Sequence, residues 1–345
     1  MATALQTMTN ELTHVFLLSV GAFLLAMFLT PIYTFFAYRY RFWKHQRENA
    51  VTGEKLQVFN RLHEEKIRRN IPTMAGIISV IAAGLVTLLF NLDRAQTWLP
   101  LAAFAGGAAV GLIDDYLNIF GSNKKDAGMR APVKFALITL IGLVLGWFFY
   151  VKLGVMSFHV PFMGDVSIGW LIIPLFAFAA VATGNAVNIS DGLDGLAGGL
   201  LGISFGAFGV IALLQQQVLL AGFCFTMVGV LLSYLWFNIY PARFFMGDVG
   251  SFAYGVSLGV VAMLTNSLLL LPVIGLLFVI EAGSSLIQIV SKKLFKRKIF
   301  LSAPIHHHLE ASGWPETKVT MRFWVIGCVM AFIGVMLALA GGHIA

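Results

Sequence analysis

The sequence alternates between apolar stretches of about 20 residues, the length that an α-helix needs to cross the hydrocarbon core of a bilayer, and mostly short polar connections. The apolar stretches cover residues 15–38, 72–91, 98–116, 133–152, 168–187, 194–213, 217–238, 250–266, 268–290 and 320–341. Only 11% of the residues are charged, whereas soluble domains have about 25% and need that charge at their surface. The sequence therefore predicts an all-α polytopic membrane protein with about ten transmembrane helices.

The distribution of basic residues predicts the orientation of these helices. If the N-terminus lies outside, all but two of the 23 Lys and Arg residues fall in inside loops or at the inner ends of spans, and the exceptions are Arg94 and Lys152. Basic residues concentrate on the cytoplasmic side of membrane proteins, so we expect both termini outside. The net charge of +7 is spread over these loops and does not indicate nucleic-acid binding. One outside connection, residues 153–167, is expected to form a small hairpin.

Five carboxylates lie at the inner ends of the predicted spans. Asp114 and Asp115 end the third span, Asp191 and Asp194 lie between the fifth and sixth, and Asp248 precedes the eighth. Ionisable groups at membrane depth are costly and usually mark a site or a pathway. A solvated helix end is the alternative for any one of them. Three clusters on one side of the membrane favour a shared site.

Polar residues recur at every third position from the end of the fifth span to the start of the sixth, at Asn185, Asn188, Asp191 and Asp194. One straight helix would spread them over about half a turn, and the glycines beside them indicate instead that the chain opens here. An opening followed by a helix N-terminus suits a phosphate-bearing ligand. Carboxylates alone would repel a diphosphate, and Mg²⁺ commonly binds one or two carboxylates together with substrate phosphates. If the substrate is anionic, the sequence therefore predicts Mg²⁺, with Asp248 as its best ligand candidate.

Three consecutive histidines, His306 to His308, follow the ninth span on the inside. Consecutive residues do not readily face one ion, and a zinc site would use Cys or spaced His ligands. Hydrogen bonds to phosphate or sugar are therefore favoured over zinc. Pro304 predicts a turn or the start of a short helix. Several cations share this side of the membrane, and charge alone does not choose among them.

Five segments resemble, in their order and spacing, the polyprenyl-phosphate N-acetylhexosamine-1-phosphate transferase superfamily, and the likeness covers nearly the whole chain. They are Ile-Pro-Thr-Met-Ala-Gly (71–76), Asp-Asp-Tyr (114–116), Asn-Ala-Val-Asn-Ile-Ser-Asp-Gly-Leu-Asp-Gly-Leu-Ala (185–197), Phe-Met-Gly-Asp-Val-Gly-Ser (245–251) and Ala-Pro-Ile-His-His-His-Leu-Glu (303–310). The histidine triplet favours the muramoyl-pentapeptide branch. The resemblance implies ten transmembrane helices in a single transmembrane catalytic domain (1–345), a homodimer in the bacterial inner membrane, a cytoplasm-facing site and Mg²⁺ dependence.

The resemblance also implies a reaction and the residues that carry it. The reaction is transfer of phospho-MurNAc-pentapeptide from UDP-MurNAc-pentapeptide to undecaprenyl phosphate, which forms lipid I and UMP in peptidoglycan synthesis. Asp248 resembles the Mg²⁺ ligand, and Asp114 and Asp115 resemble the pair that handles the lipid phosphate. Substrate contacts are implied for Arg68, Thr73, Lys134, Asn185, Asn188, Asp191, Gly192, Leu193, Asp194, Phe245, Gln288, His306, His307 and His308. Arg68 stands where the family pattern has Lys, which differs from Arg in geometry.

Two other functions compete with this interpretation. In a transporter, intramembrane carboxylates would relay protons or bind cations, but such groups usually lie near the bilayer midplane, often within inverted repeats. Here they lie at inner helix ends, and the sequence shows no repeat. Within the enzyme class, transfer of GlcNAc-1-phosphate to a polyprenyl phosphate is the alternative.

Overall fold

The computed structural model describes residues 2–43, 70–121 and 128–343. Its helices, in chain order, are α1 (Ala2–Arg39), α2 (Gly76–Phe90), α3 (Trp98–Phe120), α4 (Ala131–Leu153), α5 (Ile172–Ser190), α6 (Leu196–Leu214), α7 (Val218–Asn238), α8 (Gly247–Leu264), α9 (Leu271–Ile274), α10 (Leu276–Phe295), α11 (Ile305–Ala311) and α12 (Glu316–Ala340). Single 3₁₀ turns, Gly169–Leu171 and Leu268–Leu270, precede α5 and α9. A helix, or the pair α9 and α10, lies at each of the ten predicted spans.

Within the described ranges, seven helices are long and apolar enough to cross a membrane: α1, α4, α5, α6, α7, α8 and α12. The pair formed by α9 and α10, bent by 81°, makes an eighth candidate if the pair counts as one span. Helix α2 has only 15 residues, and α3 contains Asp114 and Asp115. The predicted class, a helical polytopic membrane protein, is confirmed. The count of ten and the side on which the termini lie remain predictions.

The connection between α4 and α5 is the hairpin that the sequence predicts. Strands β1 (Ser157–Val160) and β2 (Gly164–Ser167) pair in antiparallel register. Phe162, in the turn, has a φ of 68° and donates its N–H to the carbonyl of Gly341, 3.1 Å away. The hairpin therefore contacts the chain just beyond the end of α12.

Helix α8 lies at the centre of the described fold. Within its membrane-length window, 94% of the residues are buried, and it packs mainly against α3 and α5. One face joins the apolar cluster that includes α1, α2, α6 and α7, while Phe252 and Val256 belong to a second cluster with α3, α4 and α5. Small residues, which let membrane helices approach closely, recur along α8. Gly111 of α3 contacts the α8 backbone at Asp248, and a Cβ there would collide with that carbonyl.

Gly111→Ala is expected to destabilise the protein because the added methyl group has to push α3 away from α8. Overpacking of this kind costs about 1–3 kcal/mol or more. Gly206→Ala on α6 is the matched control, since a Cβ there meets nothing within 4 Å. Thermal unfolding in detergent should show a lower Tm for Gly111→Ala and an unchanged or slightly higher Tm for Gly206→Ala. Equal Tm values for the two variants would contradict the close packing of α3 on α8.

Candidate active site

Three charged side chains meet where the C-terminal half of α3 lies beside the first turns of α4 and α8. The Nζ of Lys134 lies 2.8 Å from Oδ2 of Asp114 and 2.7 Å from Oδ2 of Asp248. The two carboxylate oxygens are therefore separated by no more than the sum of these distances. Asp114 is 3% exposed and Asp248 is 7% exposed. The structure thus brings together two of the carboxylates that the sequence places in separate motifs.

Local structure explains how each of these side chains reaches the cluster. Lys134 lies in the first turn of α4, and its ammonium lies 5.2 Å from the ring centroid of Phe252. Asp248 lies in the first turn of α8, where the helix dipole favours a negative charge. Gly247 before it has a φ of 74°, a left-handed conformation that glycine adopts without strain. A Cβ at Gly247 would also crowd Oδ2 of Asp115 and the backbone N of Met74.

Asp115 makes a different contact from its neighbour Asp114. It is fully buried, and its Oδ2 accepts the N–H of Val249 at 3.0 Å. Val249 lies in the first turn of α8, where backbone N–H groups have no partner within the helix. Asp115 therefore caps α8 and holds Asp248 in place. The two carboxylates expected to act as a pair point to different partners, because consecutive helix residues point about 100° apart.

The segment before α2 packs against the segment before α8. The N–H of Phe245 donates to the carbonyl of Pro72 at 2.8 Å, and the N–H of Ala75 donates to the carbonyl of Phe245 at 3.0 Å. Thr73 is buried, and its carbonyl accepts the hydroxyl of Tyr33 at 2.5 Å. The side chain of Phe245 is partly exposed. Of these two predicted substrate contacts, Phe245 is therefore the more accessible.

The chain opens between α5 and α6, as the sequence predicts. Helix α5 ends at Ser190 and α6 begins at Leu196. Near the end of α5, Nδ2 of Asn188 donates to Oγ of Ser251 on α8, 2.9 Å away. Asn185 donates to the carbonyl of Val181 in its own helix at 2.8 Å. This opening therefore lies beside the first turns of α8.

Several polar groups of this opening are used to hold it in shape. Oδ2 of Asp194 accepts the N–H of Ala242 at 2.9 Å, and the N–H of Asp194 donates to Glu316 at 2.6 Å. The N–H of Gly195 donates to Asn238 at 2.9 Å. These two N–H groups lie in the opening that the sequence predicts for a phosphate-bearing ligand, and both donate to protein side chains. Leu193 and Asp194 are buried, while Asp191 and Gly192 are partly exposed.

The three histidines lie on α11, which begins at Ile305 directly after Pro304, as predicted. Nδ1 of His306 lies 2.7 Å from Oε2 of Glu281, and Nδ1 of His307 lies 2.8 Å from Oε2 of Glu310. Nδ1 of His308 accepts the N–H of Leu301 at 3.2 Å. The Nδ1 atoms of the three rings thus face three different partners.

His306 also connects α11 to the opening after α5. A Cβ added at Gly192 would collide with Nε2 of His306, so the residue at position 192 has to be small. The partner of His306, Glu281 on α10, is 0% exposed and is the residue that sequence analysis missed. Its signal was available, since an acidic residue inside an apolar stretch is costly and calls for a partner or a function.

Gln288, a predicted substrate contact, is committed to the loop that follows α10. Its Oε1 accepts the N–H groups of Ile299 and Phe300, and its Nε2 donates to the carbonyl of Phe300, all at 3.0 Å. The side chain is 6% exposed. Gln288 therefore shapes the loop before α11. Arg68, another predicted contact, lies outside the described residues.

The stability of the protein is expected to fall in acid because His307 is buried. Burial and, to a smaller extent, neighbouring His306 lower the pKa of His307 to about 4, against about 6.5 in an unfolded chain. Between these values the unfolded state binds a proton that the folded state does not, so stability decreases as the pH falls from about 6.5 towards 4. Over this pH interval, the Tm of His307→Gln should decrease by less than the Tm of the wild type. Equal decreases of Tm in the two proteins would contradict the claim that His307 is buried and neutral in the folded state.

The carboxylate pair fits a magnesium ion that is shared with a substrate. Among the residues that the structure describes, no group of three or more His, Cys, Asp or Glu residues is arranged to hold a metal. Asp114 and Asp248 nevertheless place two carboxylate oxygens around one cationic nitrogen. One or two carboxylates completed by phosphate oxygens and water form a common Mg²⁺ site. The residues present therefore suit an open site rather than a closed protein cage.

Comparisons with known proteins show the family of this chain. The model of glycosyl transferase family 4 matches residues 97–266. The phospho-N-acetylmuramoyl-pentapeptide-transferase of Chloroflexus aurantiacus (strain J-10-fl) is 39% identical over 97% of this chain and 92% of its own length. Those of Levilactobacillus brevis and Listeria monocytogenes (strain F2365) are 38% and 35% identical, over 87% and 91% of this chain and 93% and 95% of their own lengths. The chain belongs to the phospho-N-acetylmuramoyl-pentapeptide-transferase family.

Proposed function

We propose that this protein transfers phospho-MurNAc-pentapeptide from UDP-MurNAc-pentapeptide to undecaprenyl phosphate, which yields lipid I and UMP. The relatives that match most of this chain are named for this transferase. The observation that supports the chemistry is the junction of Asp114, Lys134 and Asp248. Carboxylates and a cation held together at helix ends suit a reaction between two phosphate-bearing substrates, because each substrate brings negative charge that has to be neutralised.

The reaction exchanges one diphosphate for another, so catalysis rests on positioning and charge neutralisation. An oxygen of the lipid phosphate attacks the phosphorus attached to the sugar. The bond from that phosphorus to the bridging oxygen breaks, and UMP leaves with the electron pair. Asp114 takes the proton when the lipid phosphate arrives protonated, and Lys134 holds its ammonium against the phosphates. Mg²⁺, with Asp248 as its protein ligand, supplies further positive charge when bound.

The surrounding residues divide into those that face the substrate and those that shape the site. Asn188, Asp191, His306 and Phe245 border the opening after α5 and the start of α8, and we assign them to the nucleotide and sugar. Asp115, Asp194 and Gln288 act indirectly, because their side chains are already bonded to the backbone of α8 or of neighbouring loops. The same proposal has a second form, in which an aspartate is transiently phosphorylated. In-line attack in one step inverts the configuration at phosphorus, whereas two steps retain it.

The proposal includes ten spans in a single catalytic domain over residues 1–345, both termini outside, and a site on the cytoplasmic face of the bacterial inner membrane. Cysteine labelling in a background without native cysteines tests the orientation. An impermeant reagent should label Phe162→Cys in intact cells and should label Lys298→Cys only after the cells are opened. The homodimer is also part of the proposal, and light scattering of the purified protein measures it.

Release of UMP with each candidate donor is the test of the reaction. Purified protein with undecaprenyl phosphate and Mg²⁺ should release UMP from UDP-MurNAc-pentapeptide and should leave UDP-GlcNAc unchanged. Release from UDP-GlcNAc alone would replace the proposal with GlcNAc-1-phosphate transfer. The absence of UMP from both donors, together with solute uptake by proteoliposomes, would identify a transporter instead.

A further inference from the structure

The two basic residues that the predicted topology leaves on the outside line one cavity. Arg94 precedes α3 and Lys152 lies in the last turn of α4, far apart in sequence. The cavity has a volume of about 740 Å³, within the range of about 300–1,000 Å³ that is usual for ligand sites. Its lining comprises Leu92, Asp93, Arg94, Ala95, Trp98, Leu99, Phe148, Lys152 and Leu153.

This cavity is separate from the carboxylate cluster. Trp98 is the first residue of α3, and Asp114 lies sixteen residues later on the same helix. At 1.5 Å per residue, that separation is about 24 Å along the helix axis. The cavity therefore lies towards the opposite end of α3 from Asp114. In the predicted topology this end of α3 lies at the outer face of the inner membrane.

The lining combines an apolar wall with two available cations. Trp98 is 48% exposed and Leu92 is 51% exposed, so both apolar side chains are accessible at the cavity. Oδ1 of Asp93 accepts the N–H groups of Ala95 and Gln96, each at 2.8 Å. Between described residues, no ion pair joins Asp93 to Arg94 or Lys152. The cavity thus presents more positive than negative charge beside apolar side chains.

This combination matches the chemistry of an amphiphile with an anionic head. Arg and Lys bind phosphate oxygens through charge-assisted hydrogen bonds, and tryptophan is enriched where the acyl chains of a bilayer meet its headgroups. Basic residues on the outside run against the general distribution of charge in membrane proteins. Their convergence on one cavity therefore calls for a partner that carries negative charge.

We propose that this cavity binds an anionic phospholipid of the outer leaflet. The headgroup phosphate lies between Arg94 and Lys152, and the start of an acyl chain lies against Trp98 and Phe148. A general attraction of basic residues for lipid surfaces predicts no saturable preference at this point. Specific binding predicts a preference that depends on both cations and is measured at Trp98.

Quenching of Trp98 by brominated lipid tests the proposal. The protein is reconstituted in phosphatidylcholine vesicles that contain a minor fraction of brominated phosphatidylglycerol or, in parallel, brominated phosphatidylcholine. The contribution of Trp98 is the difference between the wild type and Trp98→Phe, since the chain has 7 Trp residues. We expect brominated phosphatidylglycerol to quench this contribution several-fold more strongly than brominated phosphatidylcholine does.

The double variant Arg94→Gln/Lys152→Gln should reduce the quenching to the level of phosphatidylcholine. The matched control, Lys293→Gln/Arg297→Gln, removes one Lys and one Arg at the other end of the molecule and should keep the preference, as should the charge-conserving Arg94→Lys/Lys152→Arg. Equal quenching of the wild type by both lipids, or a preference that persists in the double variant, would overturn the proposal. Loss of the preference in excess inorganic phosphate would assign the cavity to a free anion and would also overturn it.

Discussion

Asp248→Asn is expected to lower the turnover of UDP-MurNAc-pentapeptide by about 1,000-fold, or roughly 4 kcal/mol of transition-state stabilisation. The substitution keeps the size of the side chain and an oxygen that can accept a hydrogen bond from the Lys134 ammonium. It removes a negative charge from the cluster. A neutral amide is a poor ligand for Mg²⁺ compared with a carboxylate. Turnover is measured as UMP release over a range of Mg²⁺ concentrations.

The fold should survive this substitution, because Lys134 keeps its contact with Asp114, 2.8 Å away. The Tm of Asp248→Asn should therefore stay close to that of the wild type. Asp165→Asn, on the hairpin away from the cluster, is the control that removes one carboxylate and should keep normal turnover. Near-normal turnover of a folded Asp248→Asn variant, with an unchanged Mg²⁺ dependence, would refute the assigned role of this carboxylate.

Lys134→Met is expected to have two opposite effects. Turnover should fall by about 100-fold, or roughly 3 kcal/mol, because the ammonium no longer neutralises the phosphates. Divalent cations should nevertheless bind more tightly in the absence of substrate. The ammonium lies within 2.8 Å of both carboxylates, in the space that a cation between them would need, so its removal leaves two like charges in need of a counterion.

Electron paramagnetic resonance with Mn²⁺ as the probe separates these effects. A titration of the purified protein should give a lower Kd for Mn²⁺ in Lys134→Met than in the wild type. Lys293→Met, which removes an exposed lysine at the end of α10, should change neither the Kd nor the turnover. An unchanged or higher Kd in Lys134→Met would show that the ammonium does not compete with a metal for these carboxylates.

The helical class and several local features of this protein follow from the sequence alone. Long apolar stretches with little charge require a bilayer as solvent, and only backbone that satisfies its own hydrogen bonds crosses one. The hairpin after α4, the opening before α6 and the start of α11 were each indicated by glycine or proline at a particular position. These features depend on neighbouring residues, so local sequence is enough to predict them.

The contacts of the candidate site were decided by tertiary structure. The sequence predicts that Asp114 and Asp248 lie on one side of the membrane. Only the packing of α3 against α8 through Gly111 brings both to Lys134. The sequence assigns Asp114 and Asp115 to the same role, and only the fold shows that Asp115 contacts the start of α8 instead.

The position of Glu281 inside an apolar stretch indicates that it needs a partner, but the sequence alone does not identify that partner as His306, which lies on another helix. The cavity between Arg94 and Lys152 was also decided by tertiary structure, because the residues around either one do not indicate that the other lies nearby. A local pattern specifies which residues share a helix and which solvent they need. The angle and depth at which two helices pack depend on side chains distant in sequence, and this packing decides which charges become neighbours.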